Sequence, residues 1–324
     1  MNRSVRVVAT LLVSSLAVAY ILTKIDLHKT FDILGSASVP WVIASALLTI
    51  VTVPPMAWRW QRLLEARGLH ERVRWLTRTY FVSYAWSQIL PTSVGGDASR
   101  IFETARRHPG QITPITGSVL LERSIGGAVT LVLAGIGFLL AIGRYSIGAY
   151  LVPEAIFVVG TIGAGIVFFS RSVRRRLGFA LPYVRKLKLE KPARAVYDGI
   201  HGYRDHVGTL AVVSVVTAVL QLARIAAIYA SGRAVGIHLS PLPYVVLGPL
   251  LFLVMLVPFT VNGLGVREAF FVSFLGNLGV SADAAFACGF LFFIMTLVLA
   301  APGLAVILWE NVFDRRAPVV KPSG

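Results

Sequence analysis

One cysteine, six histidines and fifteen acidic residues are little reactive chemistry for a chain of 324 residues. The lone thiol, Cys288, excludes an internal disulfide framework and a cysteine-based metal site, and its apolar surroundings read as packing. The histidines are scattered and no HExxH pair occurs, so no metal is expected. No Walker A sequence appears. The stretches GTIGAG and GIG lie inside apolar runs with no strand before them, so a nucleotide-binding reading is poor and no cofactor is expected. No nucleophile–base pair stands out, and an enzyme is not the expectation. Charge itself is scarce, at 14% of residues against about 25% in soluble domains, whereas 56% are hydrophobic. The composition implies an integral membrane protein.

Apolar runs cover residues 5–23, 41–56, 115–142, 150–169, 208–230, 245–259 and 286–309. A spanning helix needs roughly 17–25 apolar residues. The first run follows a basic start and resembles a signal peptide, but its length and the spans behind it favour an uncleaved first span. The net charge of +16 is not spread evenly. Of 31 basic residues, 24 lie before residue 7, in 59–78, in 100–107, in 171–206 and after 314. These segments are expected in the cytoplasm by the positive-inside rule, with both termini there, in a prokaryotic plasma or inner membrane. The basic loop 171–206 reads as leaflet binding rather than nucleic-acid binding. Arg59 to Arg78, with Trp58, Trp60 and Trp75, reads as an interfacial helix.

Residues 80–90 lie between two segments that both favour the cytoplasm, and are too short to cross. They are expected to enter the membrane and turn back at LPTSVGGDASRIF, residues 90–102. The same logic applies to 245–279, which begins and ends on the outer side and breaks at VPFTVNGLGVREAFF, residues 257–271. Both breaks read Pro-x-(Ser/Thr)-Val-x-Gly: Pro91, Ser93 and Gly96, with Gly95 beside it, then Pro258, Thr260 and Gly263, with Gly265 beyond. Proline removes a donor and glycine permits a tight tip. Exposed backbone at such depth needs protein or water around it. Two hairpins entering from opposite faces form an inverted repeat, a pattern that marks midplane substrate sites. Each short helix after a tip would aim free N–H groups at the cavity, which suits a phosphate. Asp97 is placed as the N-cap of a helix over 98–107.

Charged residues inside or beside the runs complete the candidate site: Asp97, Arg100, Glu122, Arg123, Asn262, Arg267 and Glu268. Glu122 and Arg123 lie about two turns into the run 115–142, some ~10–12 Å deep at 1.5 Å per residue. Intramembrane charge is expensive and points to function. Glu122 is expected to pair with Arg100 or Arg267, with Arg123 turned to the cavity or to headgroups. For Arg224, within 208–230, snorkelling and a site role are equally open.

The motifs LPTSVGGDASRIFETAR, LLERSIGG and VPFTVNGLGVREAFF resemble those of the lysylphosphatidylglycerol synthase transmembrane-region family, also called flippase-like, with likeness over about residues 12–309. The resemblance implies a single polytopic all-α domain over 1–324 with two inverted re-entrant hairpins, of the kind associated with flipping aminoacylated phosphatidylglycerol between leaflets. No soluble aminoacyl-transferase domain is expected in this chain. The resulting expectation is a lipid translocase whose partners are membrane lipids with anionic or lipid-phosphate headgroups. Phospholipid and isoprenoid-linked lipids both remain open, as does a homo-oligomer. The alternatives are a secondary transporter of a small polar solute or ion, and an assembly partner of a membrane lipid or glycan enzyme.

Overall fold

A computed structural model describes residues 23–89, 95–141, 205–255 and 265–313, together with 19, 21, 202 and 203. Among the described residues there are ten helices and no strand. They are α1 Leu27–Gly35, α2 Val39–Val51, α3 Val53–Glu65, α4 Val73–Ile89, α5 Gly95–Arg107, α6 Ile112–Ala141, α7 Val207–Ala234, α8 Leu242–Met255, α9 Val266–Gly276 and α10 Ala282–Phe313. The run 150–169, nearly all of the first run, and most of the basic loop 171–206 lie outside the described residues.

Four stretches are long and apolar enough to cross a membrane: Val39–Glu65, Ile112–Gly137, Val207–Ala234 and Ala282–Glu310. The chain is an all-α, multi-pass membrane protein. The first stretch corrects the sequence reading. The span does not end at Met56. Thr52 separates α2 from α3, with Pro54 and Pro55 opening α3, where missing N–H groups cost nothing. Apolar residues then recur at helical spacing, and Val53, Ala57, Trp60 and Leu64 are all fully buried. Arg59 and Trp60 therefore belong to a packed helix rather than an interfacial one.

Two apolar cores lie at opposite ends of the bundle. One gathers α3 and the start of α4 with Ile115 and Val119 of α6, Val213 of α7 and Leu299 of α10. The other gathers the later part of α7, α8 and α9 with residues 285–295 of α10. Helices α6 and α7 run from the first core to the second, and α10 runs back. Beside the second core, α7 meets α2 through small polar residues. Ser45 Oγ donates to the Ala227 carbonyl at 2.9 Å and lies 2.9 Å from Ser231 Oγ. Bonds of this kind join helices where lipid offers no partner.

Helices α4 and α5 pack antiparallel, so their outer ends meet at the first core's end of the bundle. Arg78 near the start of α4 pairs with Glu103 of α5 at 3.0 Å, and Arg107 at the end of α5 sits 4.5 Å from the Trp75 ring. Helices α8 and α9 pack together in the second core. At 11 residues, α9 is about 16 Å long, half of a ~30 Å hydrocarbon core.

Helix α10 crosses α4 with Gly303 against the α4 backbone, where a Cβ would stand 1.9 Å from the Phe81 carbonyl oxygen. By contrast, a Cβ at Gly127 meets nothing within 4 Å. Gly303→Ala should therefore lower the thermal midpoint of the purified protein in detergent, whereas Gly127→Ala should leave it unchanged or raise it slightly, as alanine is the better helix former.

Candidate functional site: a buried arginine–carboxylate cluster

The packing of α3, α4, α5, α6 and α7 brings five charged side chains together. Glu122 is 4% exposed. Its Oε1 accepts from Tyr80 Oη at 2.6 Å and from the Arg59 guanidinium, and its Oε2 accepts from Arg100 Nη1 at 2.7 Å. Arg100 also donates to Tyr80 Oη at 2.6 Å and from Nε to Asp97 Oδ1 at 3.0 Å. Arg123 donates to the other oxygen of Asp97. Arg59 continues to Thr217 Oγ1 on α7 at 2.8 Å. Its Nε has no partner among the described residues. The Arg100 guanidinium lies 4.7 Å from both the Trp60 and Tyr80 rings, so aromatic faces cover the charge that carboxylates do not. Trp60 is held in turn by its indole N–H, which donates to Ser118 Oγ at 2.9 Å.

Each position follows from local sequence. Tyr80 and Tyr84 repeat at four residues on α4. Asp97 and Arg100 lie three apart and so share a face of α5. Helix α5 can lie this close because Gly96 has no side chain: a Cβ there would stand 2.6 Å from the Ser83 carbonyl and 2.1 Å from Ser87 Oγ. The helix starts at Gly95, so Asp97 sits within its first turn rather than capping it, and its carboxylate is spent on Arg100 and Arg123.

Arg267 and Glu268 form a separate pair in the second core's half of the bundle. Arg267 Nε donates to Glu268 Oε1 at 2.9 Å, and Glu268 Oε2 accepts the Gly265 N–H at 2.7 Å, closing the start of α9. Gly265 carries φ 81°, the left-handed region that favours glycine. Arg267 is 1% exposed and covered by the Phe293 ring at 4.6 Å. Glu122 thus has Arg100 and Arg59 as partners, and Arg267 serves its own neighbour. Pro91, Ser93, Pro258, Thr260, Asn262 and Gly263 lie outside the described residues.

At the outer end of α4 and α5 a cavity of about 530 Å³ is lined by Trp75, Arg78, Glu103, Arg106, Arg107 and Glu310. Arg78 bridges Glu103 and Glu310, tying the α4–α5 pair to the end of α10.

The family model for the lysylphosphatidylglycerol synthase TM region matches residues 7–303. The chain belongs to that family. Within it, the three motifs of the sequence reading fall on α5, on the Glu122 turn of α6 and on the start of α9. The chain is also similar to a protein named glycosyltransferase AglD from Haloferax volcanii, 26% identical over 173 residues. That similarity covers 53% of this chain and 27% of the relative. The cluster in this family member includes three residues the sequence did not single out: Arg59, Tyr80 and Thr217. Arg59 was detectable, since the 53, 57, 60, 64 repeat carries helix α3 past it; the two hydroxyls gave no signal.

Removing one partner of a buried ion pair costs about 3–5 kcal/mol, because the other charge stays buried. Glu122→Gln leaves two buried guanidinium groups short of a counter-charge, and should cause a large fall in thermal stability. Arg62→Gln, at a pair with Glu65 on the surface, should change stability by no more than about 1 kcal/mol. Melting both variants beside the parent protein checks the contrast.

Proposed function

We propose that the chain is a non-enzymatic lipid translocase of the plasma or inner membrane, with both termini in the cytoplasm. In this reading α4–α5 is a re-entrant hairpin from the cytoplasmic face and α8–α9 is one from the opposite face. The lipid is a phospholipid or isoprenoid-linked lipid whose anionic headgroup crosses in a polar path while its tails stay in the bilayer. The observation that carries the proposal is the cluster itself. Among the described residues three guanidinium groups share two carboxylates, and the hub, Glu122, lies ten residues or about 15 Å inside α6. Such charge is costly to bury unless it is used. Three clustered arginines favour a phosphate, which Arg100 would take by exchanging carboxylate oxygens for phosphate oxygens. Trp75, Arg78, Arg106 and Arg107 at the outer cavity suit a headgroup arriving from the leaflet surface.

One observation favours a second reading. The relative that carries a glycosyltransferase name supports an assembly partner of a membrane lipid or glycan enzyme. In that case charge changes in 171–194 would abolish function and changes in the cluster would spare it.

Purified protein in liposomes, with phosphatidylglycerol labelled on its headgroup and a membrane-impermeant quencher outside, separates the two. The translocase reading expects lipid exchange between leaflets. Asp97→Asn and Arg100→Gln, inserted normally, should slow it about tenfold or more, the effect of losing one charge-assisted hydrogen bond. No exchange by the parent protein, across a panel of anionic and isoprenoid-linked lipids, would remove the reading. So would undiminished exchange in both variants.

A further inference from the structure

The polar surface does not stop at the cluster. Thr217, which holds Arg59, is followed on α7 by Gln221 and Arg224, four and seven residues on. At 100° per residue Arg224 points within about 20° of Thr217, and about 140–180° away from Val215, Val219 and Leu222. Those three are 65%, 60% and 48% exposed and form the outer, lipid-facing side of α7. Arg224 is itself exposed, although it lies on the inward side. Its exposure is therefore on the side of α7 turned away from those lipid-facing residues. Polar groups of two other helices lie on that side. Gln221 Nε2 donates to Thr130 Oγ1 of α6 at 2.6 Å. Tyr84, one turn beyond Tyr80 on α4, lies within electrostatic reach of Arg224.

Distance from the helix ends weighs against the simple alternative. Arg224 is ten residues, about 15 Å, from Ala234, and seventeen, about 26 Å, from Val207. Snorkelling serves residues near helix ends. Among the described residues no carboxylate pairs with Arg224. The other buried or mid-helix arginines, Arg59, Arg100, Arg123 and Arg267, each have one. An arginine at mid-span with no carboxylate partner among the described residues, on the polar side of its helix, marks an ion or substrate path.

We propose that Arg224 is a second anion-binding station, which takes a phosphate group about 10 Å further along the bundle than the Thr217 level of the cluster. The inference rests on the translocase reading and adds a path to it. The phosphate leaves Arg100, passes Tyr84 and Gln221, and is held by Arg224 before reaching the far leaflet. The chemistry recognised is a phosphate oxyanion, whether attached to a lipid or free.

The test is binding to the full chain in detergent, by titration calorimetry, in two arms: dihexanoylphosphatidylglycerol and sn-glycerol 1-phosphate. Arg224→Gln should weaken the short-chain lipid about tenfold. Weakening in both arms supports a station that reads phosphate alone; weakening in the lipid arm only supports one that reads phosphate on a lipid. Arg224→Lys keeps the charge but cannot clamp two oxygens, and should bind the lipid about threefold more weakly than the parent. It decides the matter if Arg224→Gln does not fold. Parent-like binding of both probes by whichever variants fold overturns the station. Arg100→Gln in the same assay separates the two ideas. If it weakens binding and the Arg224 variants do not, the station falls and the translocase reading stands. If the parent binds neither probe, both fall.

Discussion

A carboxylate some 15 Å inside a membrane helix is stable only when its lone pairs are filled by cations and hydroxyls, because hydrocarbon supplies neither. Glu122 meets that demand with Arg59, Arg100 and Tyr80. These come from three other helices, so one carboxylate fixes the mutual position of α3, α4, α5 and α6. Thr217 adds α7 through Arg59. Removing the hub would leave two guanidinium groups with Asp97 as their carboxylate among the described residues, beside the Thr217 and Tyr80 hydroxyls and the aromatic faces. The packing around the site thus combines charge satisfaction with the apolar contacts of the first core. Buried pairs of this kind rarely add net stability, whereas breaking one by removing a single partner is strongly destabilising.

The constraint also explains the architecture. Arg100 can reach Glu122 only because α5 returns alongside α4 instead of continuing across the bundle. Gly96 allows the close approach, and Arg78, Glu103 and Glu310 lock the outer end. In the other half of the bundle α8 and α9 also pack together. There the satisfied group is Arg267, held by Glu268 and covered by Phe293, with Glu268 also closing the helix start at Gly265. Between the two halves α7 presents Thr217, Gln221 and Arg224 along one side, and the polar character of the first site extends toward the second.

Much of this was legible in the sequence. Composition and run length give an all-α membrane protein. The repeated Pro-x-(Ser/Thr)-Val-x-Gly pattern precedes α5 and α9 closely, and the cost of a buried acid gives Glu122 either Arg100 or Arg267 as partner, of which the fold supplies Arg100. Three points were harder to read. Arg59 looks like one more positive-inside residue until the periodicity of α3, which makes it detectable, is followed past Pro55. Asp97 looks like a cap because Ser/Thr/Asp/Asn usually cap helices after a glycine turn, yet the helix begins two residues earlier and the carboxylate is drawn to two arginines. The partner of Arg267 depends on the fold of α9, where an adjacent residue, Glu268, turns back to close the helix start. Adjacent residues on a helix diverge by about 100°, so sequence spacing alone argues against that pair.

The account depends most on α4 and α5 forming a hairpin that enters and leaves by one face, with α8 and α9 doing so by the other. Single cysteines in a Cys288→Ala background, probed with a membrane-impermeant thiol reagent on oriented vesicles, measure this directly. Arg72 and Gln111 flank the first hairpin and His238 and Asn277 flank the second, and all four are exposed. The account predicts that Arg72→Cys and Gln111→Cys react from the cytoplasmic side only, and His238→Cys and Asn277→Cys from the opposite side only. Labelling of Arg72→Cys and Gln111→Cys from opposite sides would contradict it, since α4 and α5 would then cross the membrane together and Arg100 would no longer be delivered by a hairpin.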